Sequence, residues 1–300
     1  MKKRKITFIY AYEGETWSTP LSLLNEFKYS KNWETEIVSI GSNSTGHYHE
    51  DNLKQWVESK PKTDIVLFMD WGRFSSNYLN KELVDAFWIQ ESGDDPQNWK
   101  FNSPKCKSFH LTITPDYPSY EMYTKLYNIN AIWMPHWADT RMHIPMAMQT
   151  LPYLAVTTRG YGNSEFLDTL TDHSNGSIGN KNGMIGLEHS RFLQSGKMVV
   201  QNSRWGEVTR RIFEGMACGR MVVTDRLHHS RKLEELFVED EHIVLYDNMV
   251  DCIEKINYYA THDRERNRIA QNGYHRVLNN HTQRQRVDTL IQEWEKFKSL

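Results

Sequence analysis

Residues 201–225, QNSRWGEVTRRIFEGMACGRMVVTD, decide how the rest of the chain is read. The apolar run before them, 197–200 (KMVV), reads as a short strand, and 221–224 (MVVT) reads as another. Between the two lie a polar loop, a helix predicted from about Thr209, and Gly219 where the helix stops. That helix opens with Thr209, Arg210 and Arg211 and carries Glu214 one turn on. The first amides of a helix have no intrahelical partner and lie at the positive end of its dipole, so they can hold an anion. Guanidinium groups beside them suit a phosphate or diphosphate, which they grip bidentately. A carboxylate at Glu214 can accept two hydroxyl hydrogen bonds, as from a ribose. A nucleoside-diphosphate site is one reading. The plainer one is a surface ion pair between Arg210 and Glu214 at i,i+4, worth about 0.2–0.5 kcal/mol. Ile212, Phe213, Met216 and Ala217 supply the buried face of the helix under either reading.

Moving outward, the N-terminal half contains six short apolar or β-branched runs: 6–10, 35–40, 64–70, 86–90, 110–114 and 131–134. Helical stretches separate several of them, which predicts a parallel, doubly wound α/β sheet. Ligands of such sheets sit beyond the carboxyl ends of strands. Four polar clusters fall there: 13–16, 70–73, 91–95 and 116–120. The segment 135–145 (PHWADTRMHIP) places a domain boundary near 145, with His136 and Asp139 either lining a site or serving as a hinge. The second half repeats the grammar. Strand 154–158 runs into Arg159, Gly160, Tyr161 and Gly162, and a helix begins at Ser164, forming a second phosphate cradle that lacks a full glycine-rich fingerprint. A polar loop (172–186), a helix (187–195), the central stretch, a strand (242–246) and three helices (249–259, 264–278, 283–297) follow.

Bulk properties exclude several classes. With 39% hydrophobic and 25% charged residues the chain can build an ordinary core despite a mean hydropathy of −0.69. No apolar run reaches membrane-spanning length, and the basic-then-apolar start is too short for a signal peptide. Cys106, Cys218 and Cys252 have no metal or redox spacing, which fits a cytoplasmic protein. His47/His49 and His228/His229 lack cysteine company, and Asp94-Asp95 is not an Asp-x-Asp motif, so no metal site is expected. A net charge of −2 gives no global attraction to nucleic acid. Arg204, Arg210, Arg220, Arg226, Arg231 and Lys232 still form a local basic cluster.

The pattern Arg211-Ile-Phe-Glu214-Gly-Met-Ala-Cys-Gly219, followed by Tyr246-Asp247, Tyr258-Tyr259 and Ile269-Ala-Gln-Asn-Gly273, resembles the group 1 glycosyltransferases. It is most similar to the branch that includes spore-maturation-type glycosyltransferases, over roughly residues 195–290. Residues 209–225 also resemble the equivalent segment of phage DNA β-glucosyltransferases, with Arg211 and Glu214 on an Arg-x-x-Glu pair. The resemblance implies a GT-B fold, two Rossmann-like domains facing across a cleft. The expected domains are 1–145 on the acceptor side and 146–282 on the nucleotide-sugar side, with a last helix at 283–300 packing back on the first.

The family likeness also implies a donor site in which Arg211 holds the diphosphate and Glu214 the ribose hydroxyls. Thr209, Arg210, Arg159, Gly160 and Gly162 would lie close by. The implied donor is a UDP-sugar, with no cofactor or metal required. An inverting enzyme of this kind needs a base for the acceptor hydroxyl, and the candidates are Asp94 and Asp95, then Glu91 and Glu13. A retaining enzyme can rely on the leaving diphosphate instead. Asp94 and Asp95 stand just before Pro96, where helix capping explains them equally well. The acceptor is a surface glycan, a small metabolite or a hydroxymethylated base of phage DNA, the last placing the protein in the host cytoplasm. For an extruded base, Trp71, Trp99 and Trp137 are stacking candidates. The competing class is a catalytically silent nucleotide-binding module that acts as a sensor or partner.

Overall fold

The computed structural model describes residues 3–15, 18–42, 47–70, 74–146, 151–157, 164–181 and 183–300. The chain forms two compact units, Met1–Pro135 with Arg284–Leu300, and His136–Gln283.

The strands of the first unit are β1 (Arg4–Tyr10), β2 (Trp33–Ser39), β3 (Gly41–Ser42), β4 (His47–Tyr48), β5 (Ile65–Asp70), β6 (Phe87–Ser92), β7 (Leu111–Thr114) and β8 (Ala131–Trp133). Its helices are α1 (Thr19–Tyr29), α2 (Asp51–Glu58), α3 (Trp99–Asn102) and α4 (Tyr117–Glu121). Six strands form a parallel sheet in the order β2-β1-β5-β6-β7-β8. Strands covered on both faces read as continuous apolar runs, and β6 is buried at every position. Ile9, Phe68, Trp88 and Phe109 pack with Leu53 and Val57 of α2 on one side of the sheet. α1 starts where Ser18 accepts from the Leu21 amide (3.3 Å) and Pro20 sits in the first turn. Two features depart from the sequence reading. The predicted loop 41–50 contains the antiparallel pair β3–β4, and β6 runs on to Ser92, which puts Glu91 inside the strand.

The second unit contains β9 (Tyr153–Thr157), β10 (Ile178–Asn180), β11 (Gly196–Gln201), β12 (Met221–Asp225) and β13 (Val244–Tyr246). Its helices are α5 (Ser164–His173), α6 (Gly186–Gln194), α7 (Arg210–Ala217), α8 (Leu233–Leu236), α9 (Met249–Thr261) and α10 (Asp263–Asn280). Five parallel strands take the order β10-β9-β11-β12-β13. Short β10 lies in what the sequence presents as a polar loop, because Ile178 is its only apolar signal. Segment 136–145 belongs to this unit. The Ala138 amide donates to the His281 carbonyl (3.0 Å), the Gln283 amide to Ala138 (3.1 Å), and Gln194 Nε2 to the Ile144 carbonyl (2.9 Å).

Gly219 ends α7 with φ +71°, its amide donating to the Met216 carbonyl (2.9 Å), and so turns the chain into β12. Gly273 on α10 serves another purpose. A Cβ there would lie 2.6 Å from the His242 carbonyl oxygen and 3.3 Å from Met216 Cγ of α7. Gly273→Ala is therefore expected to destabilise the protein by about 1–3 kcal/mol, since a backbone carbonyl cannot swing aside. Urea unfolding at wild-type stability would refute this.

The last helix, α11 (Gln283–Lys298), packs on the first unit. Trp294 meets Trp33 edge-on (5.5 Å between centroids), Phe297 stacks on Phe87 (4.7 Å), and the Arg4 guanidinium covers Trp294 (4.6 Å). Arg286 Nε donates to the Pro135 carbonyl (2.7 Å). Among the described residues no helix is long and apolar enough to cross a membrane.

Candidate functional site

In the second unit the strand order reverses between β9 and β11, and Gln201 stands at the carboxyl end of β11. The loop from there to α7 is pinned at both ends. Tyr246 OH donates to the Gln201 carbonyl (3.1 Å), the Ser203 amide donates to Asp225 Oδ1 (2.8 Å), and the Ser203 hydroxyl donates to Asp225 Oδ2. α7 then begins with Thr209 in the cap position but makes no side-chain cap bond. The Thr209 hydroxyl turns to Gln201 Oε1 instead (2.8 Å), and Arg211 Nη1 reaches the same oxygen (3.3 Å). The helix N-terminus is thus left uncapped.

Two further donors belong to residues beside it. Arg211 Nε and Gln201 Nε2 are shielded from solvent and have no hydrogen-bond partner among the described residues. Burial holds the Arg211 guanidinium below its ordinary pKa, partly offset by the charge of Glu214. Unsatisfied buried donors are uncommon, and here they belong to residues at the start of a helix that has no side-chain cap bond. The arrangement is a donor set shaped for an anion.

One turn along α7, Glu214 is 5% exposed, so the surface-pair reading does not describe it. Its two oxygens face two imidazoles, Oε1 to His143 Nε2 (3.7 Å) and Oε2 to His189 Nδ1 (3.8 Å). The rings stand nearly perpendicular, 5.8 Å apart. Desolvation by burial would raise the Glu214 pKa, but His143, His189, Arg210 and Arg211 together bring it below the usual carboxylate value. Burial lowers that of His189. Asp139 builds the turn that presents His143: its carboxylate accepts from Arg141 Nε (2.9 Å) and Nη2 (3.0 Å), and its carbonyl from the His143 amide (2.7 Å).

His143, His189 and Glu214 are the group among the described residues that could hold a metal ion. Their ligand atoms all lie within 4.8 Å of one another, with the imidazole nitrogens 3.7 and 3.8 Å from the Glu214 oxygens. Arg210 and Arg211 also add positive charge beside them.

Arg210 lies with its guanidinium over the Trp137 ring (4.3 Å) and its Nη2 3.5 Å from His136 Nδ1. Arg159, Gly160 and Gly162 lie outside the described residues, as does Trp71. Much of the basic cluster is already engaged. Arg226 bonds Glu239 and Asp247, Lys232 pairs with Glu235 (2.6 Å), and Arg220 Nη2 donates to the Gln194 carbonyl (2.8 Å). Arg204 lies over Trp205 (4.2 Å).

The carboxylates of the first unit separate into two kinds. Asp95 is buried and accepts from Ser92 Oγ, Tyr123 OH (2.9 Å), Asn102 Nδ2 (3.0 Å) and Thr114 Oγ1 (3.4 Å). Burial pushes its pKa up to about 6 against these bonds. It caps no helix: α3 has Asn98 in the cap position, without a side-chain cap bond. Glu91 is also buried. Asp94, with φ +56°, and Glu13 are exposed. Glu13 borders a recess of about 430 Å³ with Tyr12, Ser39, Gly41, His47 and His49, beyond the ends of β1 and β2.

His143, His189 and Gln201 are the site residues that sequence reading missed. Gln201 carried a usable signal, a polar residue at the end of a buried strand. The two histidines carried none, since 46 positions separate them.

Residues 153–292 match a glycosyl transferase-like family. No curated protein sequence matches the chain. Similar solved structures include sucrose-phosphate synthase from Thermosynechococcus elongatus (TM-score 0.69, 11% identity, 99% of this chain and 100% of that one). Anabaena HepE in complex with UDP and glucose gives a TM-score of 0.69 at 11% identity, with the same coverage. The pneumococcal O-GlcNAc transferase GtfA with UDP and GlcNAc gives 0.57 at 10% identity, over 83% of this chain and 60% of that one. The fold is that of the GT-B glycosyltransferase structures, and the segment that matches the glycosyl transferase-like family, residues 153–292, spans most of the second unit.

Proposed function

We propose that the protein transfers a sugar from a UDP-sugar to a hydroxyl acceptor. The observation that carries this reading is the open donor set at the start of α7. Arg211 Nε and Gln201 Nε2 are buried without partners among the described residues, beside an uncapped helix N-terminus. A diphosphate supplies acceptors to all of them at once. Glu214, buried one turn on, then receives the ribose hydroxyls. The nucleotide fits similar solved structures, for Anabaena HepE was solved with UDP-glucose.

Deprotonation of the acceptor falls to Asp94 or Glu13 in this proposal. Both are solvent-exposed, whereas Glu91 and Asp95 are enclosed, Asp95 by its own hydrogen bonds. A glycan or small hydroxyl compound suits the acceptor side better than DNA. Arg220, Arg226 and Lys232 are already bound to protein groups and offer little to a phosphate backbone.

The test is incubation with a panel of nucleotide sugars, with simple glycans or hydroxymethylcytosine DNA as acceptors. Free nucleoside diphosphate and product mass are recorded. Release of UDP with a glycosylated product is expected. UDP-sugar binding with no release under any pairing would instead identify a silent nucleotide-binding module.

A further inference from the structure

Asp94 and Asp95 are neighbours that the fold treats in opposite ways. Asp95 is 4% exposed, and its carboxylate collects donors from four elements. Oδ2 accepts from Ser92 at the end of β6 and from Thr114 at the end of β7 (3.4 Å). It also accepts from Tyr123 (2.9 Å), which sits on a π-helical turn, Met122–Leu126, that follows α4. Oδ1 accepts from Asn102 at the end of α3 (3.0 Å). The same Asn102 side chain donates to the Gly93 carbonyl (3.3 Å), and the Asn98 amide donates to the Asp94 carbonyl (3.0 Å). The backbone is therefore tied on both sides of Asp94, while the Asp94 side chain stands in solvent.

Two features indicate that this turn serves its exposed carboxylate. Asp94 has φ +56°, a region where glycine is unstrained and aspartate is one of the few residues with a side chain that enter it. A charged side chain thus occupies a position whose backbone favours none. The second feature is the clamp itself. A buried carboxylate must be supplied with donors to offset its desolvation, and an uncharged residue closes a turn at lower cost. What the carboxylate adds is a single arrangement, because its donors come from separate elements and all converge on it. The turn also lies at the carboxyl end of β6, where ligands of parallel sheets bind. Resting on the transfer reading above, we propose that Asp95 is a positioning residue whose buried network holds the Asp94 carboxylate where the acceptor hydroxyl bonds to it. This selects Asp94 over Glu13 as the carboxylate that meets the acceptor. Asp95 does not meet it, since its own oxygens are taken by protein donors. Fixing the backbone around Asp94 pre-organises its carboxylate, so less freedom is lost when the acceptor arrives.

The experiment is a double-mutant cycle on the full chain, with UDP-glucose as donor, glucose or water as acceptor, and UDP release recorded. Asp94→Asn keeps a residue that tolerates the left-handed backbone and is expected to lower kcat roughly a hundredfold. Asp95→Ala is expected to lower it roughly ten- to a hundredfold through misplacement of Asp94. Both variants should bind UDP-glucose as wild type does, because the donor groups belong to the other unit. In the Asp94→Asn background, Asp95→Ala should cost no further turnover, since it acts only through the carboxylate already removed. Asp95→Asn should recover most of the turnover lost in Asp95→Ala. Tyr123→Phe keeps the ring and deletes one donor, so it carries the same cycle if Asp95→Ala does not fold, with an expected drop of roughly two- to tenfold. Losses that multiply in the double variants, or full turnover in Asp94→Asn, overturn this inference while leaving the transfer reading intact. Absence of UDP release by the wild-type protein with either acceptor overturns the transfer reading and this inference with it.

Discussion

Arg211→Ala is expected to weaken UDP-sugar binding roughly ten- to a hundredfold, with little change in thermal stability. The magnitude is that of charge-assisted hydrogen bonds, about 1.5–3 kcal/mol. Stability is spared because the guanidinium gives the free protein little. Nε has no partner among the described residues, and Nη1 makes only a long bond to Gln201. Its shielding is a cost to the unliganded fold that a bound diphosphate recovers. Arg211→Lys should recover only part of the affinity, since an ammonium cannot bond a diphosphate through a planar fork. Calorimetric titration checks both variants. Wild-type affinity in a folded Arg211→Ala protein would remove Arg211 from the donor site.

The second large effect concerns Asp95 and is read in stability against pH. Its pKa rises on folding from an ordinary 3.8 to about 6. Between those values the folded protein holds a proton that the unfolded chain has released. The contribution of Asp95 is therefore fully present below pH 4 and is lost as pH rises through 6. A shift of about two units corresponds to about 3 kcal/mol, to order of magnitude. Asp95→Asn removes the titration while an amide can still bond Ser92, Asn102 and Tyr123. The stability difference between the Asp95→Asn variant and wild type should thus move in favour of the variant by about that amount from pH 4 to pH 7. Urea unfolding of both proteins across this range provides the measurement. A difference that does not change with pH would show that Asp95 does not titrate in this window.

The alternation of buried apolar runs with helical stretches made the two parallel sheets legible from sequence, because each strand carries its own local signal. Short elements with little apolar content escaped. β10 has one apolar residue, and β3 and β4 have two residues each, so long-range pairing and not composition makes them strands. The end of β6 was misplaced for a similar reason. Glu91 and Ser92 read as a polar loop, yet their pairing with Met69 and Asp70 of β5 carries the strand onward.

Sequence alone determined the fold class and the helix that bears Arg211 and Glu214, because helix ends, strand runs and the Arg-x-x-Glu spacing are local properties. It could not decide the state of those side chains. Whether Glu214 was a surface partner or a buried group depended on His143 and His189 closing over it from distant parts of the chain. Whether Asp94 or Asp95 faced solvent depended on Ser92, Asn102, Thr114 and Tyr123 gathering around only one of the two. Burial and the pKa shifts that follow are set by groups remote in sequence, and only packing brings those groups together.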